Sequence, residues 1–312
     1  MDTTFQILST VLPVLIMLII GMICRKMQII NRDGVNTLKS VVVNITLPTV
    51  LINAFATMQY SSKNILIFLM MFIICILAWA LGKIMGKLVG AKSPFLPFLT
   101  TGFEAGMLGY ALYMLLYGNE TIGSFAGIDL GQTLFVFTLY KILLGIDIAK
   151  DQKNSAKELF MDMIKSPIII AIIVGVFLGV SGIYQNMVSI GANVILNSIT
   201  DFISAPTSAI ILLTIGYDLV FQNVPWMDVW KVLISRYSIL IVLRILAGMF
   251  VHFIGMGNTL DHALNVMLIL PPPYVLPVFA KDEKEQAFLS SSLSVTTVIT
   301  LLAFVILAVL GI

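Results

Sequence analysis

Charge is what this sequence has least of. Lys, Arg, Asp and Glu make up 11% of the chain against 59% hydrophobic residues, and the mean hydropathy is +1.03. No water-soluble domain of 312 residues could bury so large an apolar fraction. Histidine is scarcer still. His252 and His262 are the only two and lie near one turn, so neither a His-x-x-x-His zinc site nor a Ser/His/Asp set can be assembled. A phosphate loop and a dinucleotide fingerprint are also missing, which argues against an enzyme. The two cysteines, Cys24 and Cys75, fall in apolar runs and read as lipid- or core-facing thiols, not as a disulfide or a metal pair. A formal net charge of +2 is too small to suggest nucleic acid as a partner. The first residues lack the basic stretch of a cleaved signal, so the first apolar run is expected to be kept as a span.

What the sequence has in abundance is apolar runs. A helix needs roughly 20 apolar residues to cross the hydrocarbon. By that measure ten spans are expected, near residues 5–24, 37–58, 65–89, 95–117, 130–145, 167–184, 192–216, 229–254, 262–280 and 288–310. The one hydrophilic block, 147–166, interleaves Lys150, Lys153, Lys157 and Lys165 with Asp147, Asp151, Glu158 and Asp162, and it splits the spans five and five. The expectation is therefore an all-α polytopic membrane protein in two halves, 1–146 and 167–312, joined by the connector 147–166.

Orientation follows from where Lys and Arg sit near span ends. Arg25, Lys26 and Arg32 follow span one; Lys83, Lys87 and Lys92 surround the turn after span three; the connector lysines follow span five. Lys231, and then Lys281 with Lys284, mark the turns after spans seven and nine, whereas the opposite turns carry only Lys63. Odd-numbered turns and the connector are thus expected in the cytoplasm, with both termini outside, in a cell (inner) membrane. Five spans per half would make the halves opposite in topology.

Proline and glycine fall where that symmetry would put breaks. Residues 268–280 read L-I-L-P-P-P-Y-V-L-P-V-F-A, with Pro271, Pro272 and Pro273 in succession and Pro277 one turn later. Each proline lacks an N–H and clashes with the carbonyl four residues back, so the helix must break near mid-span. Broken backbone at membrane depth is tolerated only where protein or a wet cavity covers it, which makes the break a site hypothesis. The matching place in span four is G-F-E-A-G-M-L-G-Y, from Gly102 to Tyr110. Span two carries Asn44 and Pro48, and span seven carries Asp201 and Pro206, a second matched pair. Together these pairs point to an inverted repeat whose broken spans four and nine cross.

Glu104 is the leading candidate residue. An unpaired carboxylate at mid-membrane costs at least a few kcal/mol, so it should be protonated, paired or hydrated. It reads either as a proton- or cation-coupling group or as a neutral acid bonded to a broken-helix amide. Gly106 and Gly109 would let two backbones approach closely, and Tyr110 and Tyr274 would flank the crossing beside Pro272 and Pro273. Lys141 of span five either snorkels to the interface or faces the bundle as a partner for Glu104 or an anion. In span eight, Arg236 lies near the cytoplasmic end and is expected to snorkel, while Arg244 lies deeper and is the better candidate for an internal ion pair. Asp201 is the weakest of these site candidates.

The chain resembles, over its full length, the auxin efflux carrier family, including bacterial permeases of the malonate or malate kind. The resemblance is strongest at residues 270–280, followed by D-E-K-E-Q-A-F-L-S-S-S-L-S-V-T-T. Span four is similar to the family's Asn-x-Gly-x-x-Gly-x-Pro but reads Glu104, Gly106, Gly109 and Ala111, so its break rests on glycines and is expected to be milder. The resemblance implies ten spans in two inverted five-span repeats, with spans one, two, six and seven as scaffold and the rest as a moving unit. It implies an elevator-like carrier for a small organic anion in contact with membrane lipid, without a cofactor, the coupling ion being H+ or Na+. Related carriers pair through the scaffold, so a homodimer is a further expectation. The alternatives are a sodium-coupled bile-acid-type symporter, a sodium/proton antiporter-like carrier, and a membrane sensor that binds a ligand without moving it.

Overall fold

The computed structural model describes residues 3–58, 60, 62–147, 161, 164–219, 221, 224–280 and 282–311, and no strand occurs among them. Each of the ten apolar runs is helical over at least part of its length. Among the described residues, six helical stretches are long and apolar enough to cross a membrane: Arg32–Thr57, Lys63–Leu88, Ile122–Gly145, Asn193–Asp218, Trp226–Phe253 and Glu283–Leu310. The pair Pro167–Val180 and Ile183–Ser189, bent by 58°, makes a seventh if it acts as one span. The chain is a multi-pass membrane protein. The runs expected as spans four and nine occur as shorter apolar helices, Ala105–Tyr117 and Leu260–Ile269, because each is interrupted. Most of the connector, including Lys150, Lys153 and Lys157, lies outside the described residues.

Two compact units emerge, and neither coincides with a half of the sequence. The first comprises Met1–Ser62, Gly106–Ala126 and Asp162–Leu219; the second comprises Lys63–Ala105, Gly127–Met161 and Val220–Ile312.

In the first unit, small residues set the helix pairs. Between helices in lipid there is little hydrophobic driving force, so close backbone packing has to supply the association. Gly21 of Thr3–Lys26 and Gly216 of Thr207–Asp218 meet reciprocally: a Cβ on Gly21 would lie 2.7 Å from the Tyr217 nitrogen, and one on Gly216 would lie 2.7 Å from Leu18 Cα. Gly175 and Gly179, four apart on Pro167–Val180, seat that helix on Leu47–Thr57, where added Cβ atoms would meet the Ile52 and Phe55 carbonyl oxygens at 2.8 Å. Positive charge collects at the end of the Thr207–Asp218 helix. Arg32 and Lys39 both pair with Asp218, and the Arg25 guanidinium donates to the Leu219 carbonyl at 2.9 Å, where cations complement a helix C-terminus.

The prolines of spans two and seven perturb their helices without unwinding them. Pro48 would drive its ring into the carbonyl of residue 44, and the helix widens to a π-turn over Val42–Thr46 immediately before it. Pro206 falls between Asn193–Ser204 and Thr207–Asp218, which together still run as one apolar stretch.

The second unit holds both strongly interrupted segments. Its last helix, Glu283–Leu310, begins with Asp282 capping the Glu285 amide and buries Ser291, Ser292, Ser294, Thr296, Thr297 and Thr300. The threonines of this polar stripe are tolerable in a membrane helix because their hydroxyls return to helix carbonyls, as Thr297 does to Leu293 at 2.7 Å and Thr296 to Ser292 at 2.8 Å.

Candidate functional site

Two unwound segments of the second unit lie against each other. The first, residues 100–104, follows the short helix Leu96–Leu99; the second, residues 270–275, follows Gly257–Ile269. Both are unwound for sequence reasons. Three successive prolines cannot continue a helix, and Gly102 adopts φ +69°, a left-handed conformation that glycine takes without strain. A Cβ on Gly102 would lie 2.9 Å from Pro273 Cγ, so this glycine also lets the proline run come close.

Glu104 joins the two segments twice. Its backbone N–H donates to the Pro271 carbonyl at 2.9 Å, and its carboxylate accepts from the Tyr274 backbone N–H at 2.6 Å. Tyr274 is held in turn by its hydroxyl, 2.8 Å from Thr297 Oγ1 on the last helix. Glu104 and Tyr274 are both part-buried, whereas Pro271, Pro272 and Pro273 are buried.

Unwinding bares carbonyls, and several at the two breaks find side-chain donors, as membrane depth demands. The Phe98 carbonyl accepts from the Tyr140 hydroxyl at 3.1 Å, Phe103 from Gln132 Nε2 at 3.2 Å and Ile269 from the Thr300 hydroxyl at 2.5 Å. Arg236 satisfies three more. Fully buried on the Trp226–Phe253 helix, it donates to Leu99 at 2.8 Å, Gly102 at 3.1 Å and Leu270 at 2.7 Å. Leu99 and Leu270 close the half-helices that precede the two breaks, so one guanidinium caps two negative helix ends. It also lies 5.3 Å from the Phe103 ring centroid. The expectation that Arg236 snorkels is therefore wrong: its planar fork of donors matches a cluster of carbonyls that exists only because two other segments unwind.

The remaining sequence candidates are distributed over both units. Gly106, Gly109 and Tyr110 belong to the first unit, where Tyr110 is buried edge-on against Phe125, with ring centroids 5.0 Å apart. Asn44 and Pro48 lie at the π-turn of the same unit, with the Asn44 amide donating to the Ser40 carbonyl at 2.8 Å, and Asp201 and Pro206 are exposed on it. In the second unit, Lys141 Nζ sits 4.8 Å from the Phe137 ring centroid. Arg244 pairs with Asp261 at 2.9 Å and donates to Asn265 at 2.8 Å, and Asp261 also meets His252 at 2.7 Å. The structure thus brings together Gly102, Glu104, Pro271, Pro272, Pro273 and Tyr274.

The sequence singles out neither Asp129 nor Gln132, and it assigns Arg236 to the interface instead of the breaks. The fifth apolar run reads from residue 130, but the helix starts at Ile122, which puts Asp129 about two turns inside it. The i, i+3, i+4 spacing of Asp129, Gln132 and Thr133 is the signal that marks one polar helix face. No group of three or more His, Cys, Asp or Glu able to hold a metal occurs among the described residues.

Comparison with known proteins identifies the family. A family model described as "Membrane transport protein" matches residues 6–308. The chain is 24% identical over 241 residues to an uncharacterized transporter of Methanocaldococcus jannaschii, covering 75% of this chain and 76% of the relative. It is 20% identical over 304 residues to an uncharacterized transporter of Methanothermobacter thermautotrophicus, covering 95% of each. The chain belongs to the membrane transport protein family, the auxin efflux carrier family that its sequence resembles, and it is a transporter and not an enzyme.

Proposed function

We propose that the chain is a secondary-active carrier that moves a small organic anion, a carboxylate, by elevator-like alternating access, with Glu104 as its coupling group. One observation carries the reading: the Glu104 carboxylate accepts the Tyr274 amide across two unwound segments. A backbone N–H freed by a broken helix is the kind of group that binds a substrate carboxylate in transporters with discontinuous helices. Here the chain's own carboxylate occupies it. Protonation of Glu104 weakens that bond and releases the Tyr274 N–H to an incoming anion, so proton and anion exchange on one donor. The partition of the chain supports a moving unit, because Glu104, Tyr274, Pro271 and Thr297, which bond to one another, belong to the second unit. Inner-membrane placement, extracytoplasmic termini and a cytoplasmic 147–166 connector are part of the same proposal.

Flux tests it. Purified protein in liposomes is given acetate, malonate, malate and indole-3-acetate at several pH values, with and without sodium. The expected result is uptake of at least one carboxylate that is pH-dependent in the wild type and pH-independent in Glu104→Gln. That variant keeps an acceptor oxygen for the Tyr274 amide but cannot titrate. Identical pH dependence in both proteins removes Glu104 as the coupling group, and binding without turnover turns the reading toward a sensor.

A further inference from the structure

We infer that Asp129 is a positioning residue for Glu104, acting through the side-chain amide of Gln132; the inference rests on the reading of Glu104 as the coupling group.

The peptide unit between Phe103 and Glu104 is held at both ends. Its carbonyl, that of Phe103, accepts from Gln132 Nε2 at 3.2 Å, and its N–H, that of Glu104, donates to the Pro271 carbonyl at 2.9 Å. The preceding peptide unit is held likewise, the Phe103 N–H reaching Gln132 Oε1 at 3.4 Å and the Gly102 carbonyl reaching Arg236 at 3.1 Å. With both peptide planes fixed, the place of the Glu104 Cα beside the Tyr274 amide is fixed too. The carboxamide of Gln132 therefore serves as the mould for the segment that presents Glu104.

A carboxamide can do this only one way round. Reversed, it would set its oxygen against the Phe103 carbonyl and its nitrogen against the Phe103 N–H. Asp129 imposes the working orientation. Its Oδ1 accepts the second Nε2 hydrogen at 2.9 Å, a contact that the reversed amide would turn into two opposed oxygens, and Thr133 donates to the same Oδ1 at 3.2 Å. Asp129, Gln132 and Thr133 are each 5% exposed, so water competes little for these bonds. What the mould needs from Asp129 is an acceptor oxygen at that place. Negative charge is not required.

This distinction makes the inference testable with Asp129→Leu, Asp129→Asn and Gln132→Leu in nanodiscs. Two readouts are used: hydrogen exchange of the peptide covering residues 100–108, and the pH profile of carboxylate flux in liposomes with the four probes named above. Exchange at the 103–104 amides is expected to quicken about tenfold in both leucine variants and to stay near wild type in Asp129→Asn. The midpoint of the flux profile is expected to move in the leucine variants, to hold in Asp129→Asn and to be absent in every Glu104→Gln background. Gln132→Glu, which swaps the donating nitrogen for an acceptor at nearly the same size, gives the same reading where a leucine variant does not fold. The inference is overturned if exchange is unchanged in Gln132→Leu or Gln132→Glu, or if Asp129→Asn behaves as Asp129→Leu does, since Asp129 would then act by its charge. If no probe is carried by the wild type, the carrier reading fails and exchange alone decides the positioning role.

Discussion

At the scale of single residues, Arg236 carries the largest energetic consequence. It is a fully buried cation whose donors go to three backbone carbonyls from two unwound segments. Truncating it leaves those carbonyls buried without a donor, each costing about 1–3 kcal/mol. Arg236→Met is therefore expected to lower stability by several kcal/mol, read as a fall of the unfolding midpoint in detergent. Arg236→Lys keeps the charge but presents a compact point donor in place of a planar fork, so it should recover only part of the loss. If Arg236→Met unfolds at the wild-type temperature, the guanidinium is not what holds the half-helix ends. Little of this was legible in the sequence. Position near a span end and a long aliphatic stem argued for snorkelling, and nothing in the residues around Arg236 discloses carbonyls supplied from residues 99, 102 and 270. Glu104 was legible because its own surroundings, glycines at mid-span, already marked the anomaly.

At the scale of elements, proline and glycine proved informative in different ways. A run of three prolines removes successive amides and specifies unwound backbone at 270–275, whereas the single prolines at 48 and 206 leave a widened turn and a short junction. Number of lost amides, more than presence of proline, separates a break from a bend. After the first break the chain passes through a π-turn, Ala105–Gly109, into the helix Tyr110–Tyr117, while after 275 it passes through the short turn Leu276–Phe279. Some glycines without a positive φ, Gly21, Gly175, Gly179 and Gly216 among them, mark close packing instead. Gly216 faces Leu18 so tightly that a side chain has nowhere to go. Gly216→Leu should push the Thr3–Lys26 and Thr207–Asp218 helices apart and cost about 1–3 kcal/mol, the usual range for overpacking. Combined with Gly21→Leu, its effect should be less than additive, since the first substitution has already opened the shared contact. Strict additivity of the two midpoint shifts would place the two glycines in independent contacts.

At the scale of the molecule, the sequence allowed an all-α membrane protein to be read with ease, since 59% hydrophobic content and ten apolar runs leave no other class. The grouping of those runs was not legible from periodicity. The two compact units cut through the fourth run between Ala105 and Gly106 and through the helix Ile122–Phe135 between Ala126 and Gly127, so single helical stretches serve both units. Charge placement makes the remaining prediction, because it assigns a side of the membrane to every turn. Both native cysteines are buried, so a single introduced thiol can be read against a low background. Ser155→Cys lies in the lysine-bearing connector, and Ser189→Cys lies exposed at the end of the Ile183–Ser189 helix, in a turn that carries no Lys or Arg. In whole spheroplasts a membrane-impermeant maleimide should label Ser189→Cys and spare Ser155→Cys, and in inverted vesicles the pattern should reverse. Labelling of both from one side would mean that an odd number of crossings does not separate the two positions, and the five-and-five arrangement would fall with it. The opposite pattern would keep the arrangement and invert the orientation, leaving the lysines of the odd-numbered turns outside. The Glu104 coupling scheme would then have to load its protons from the other face.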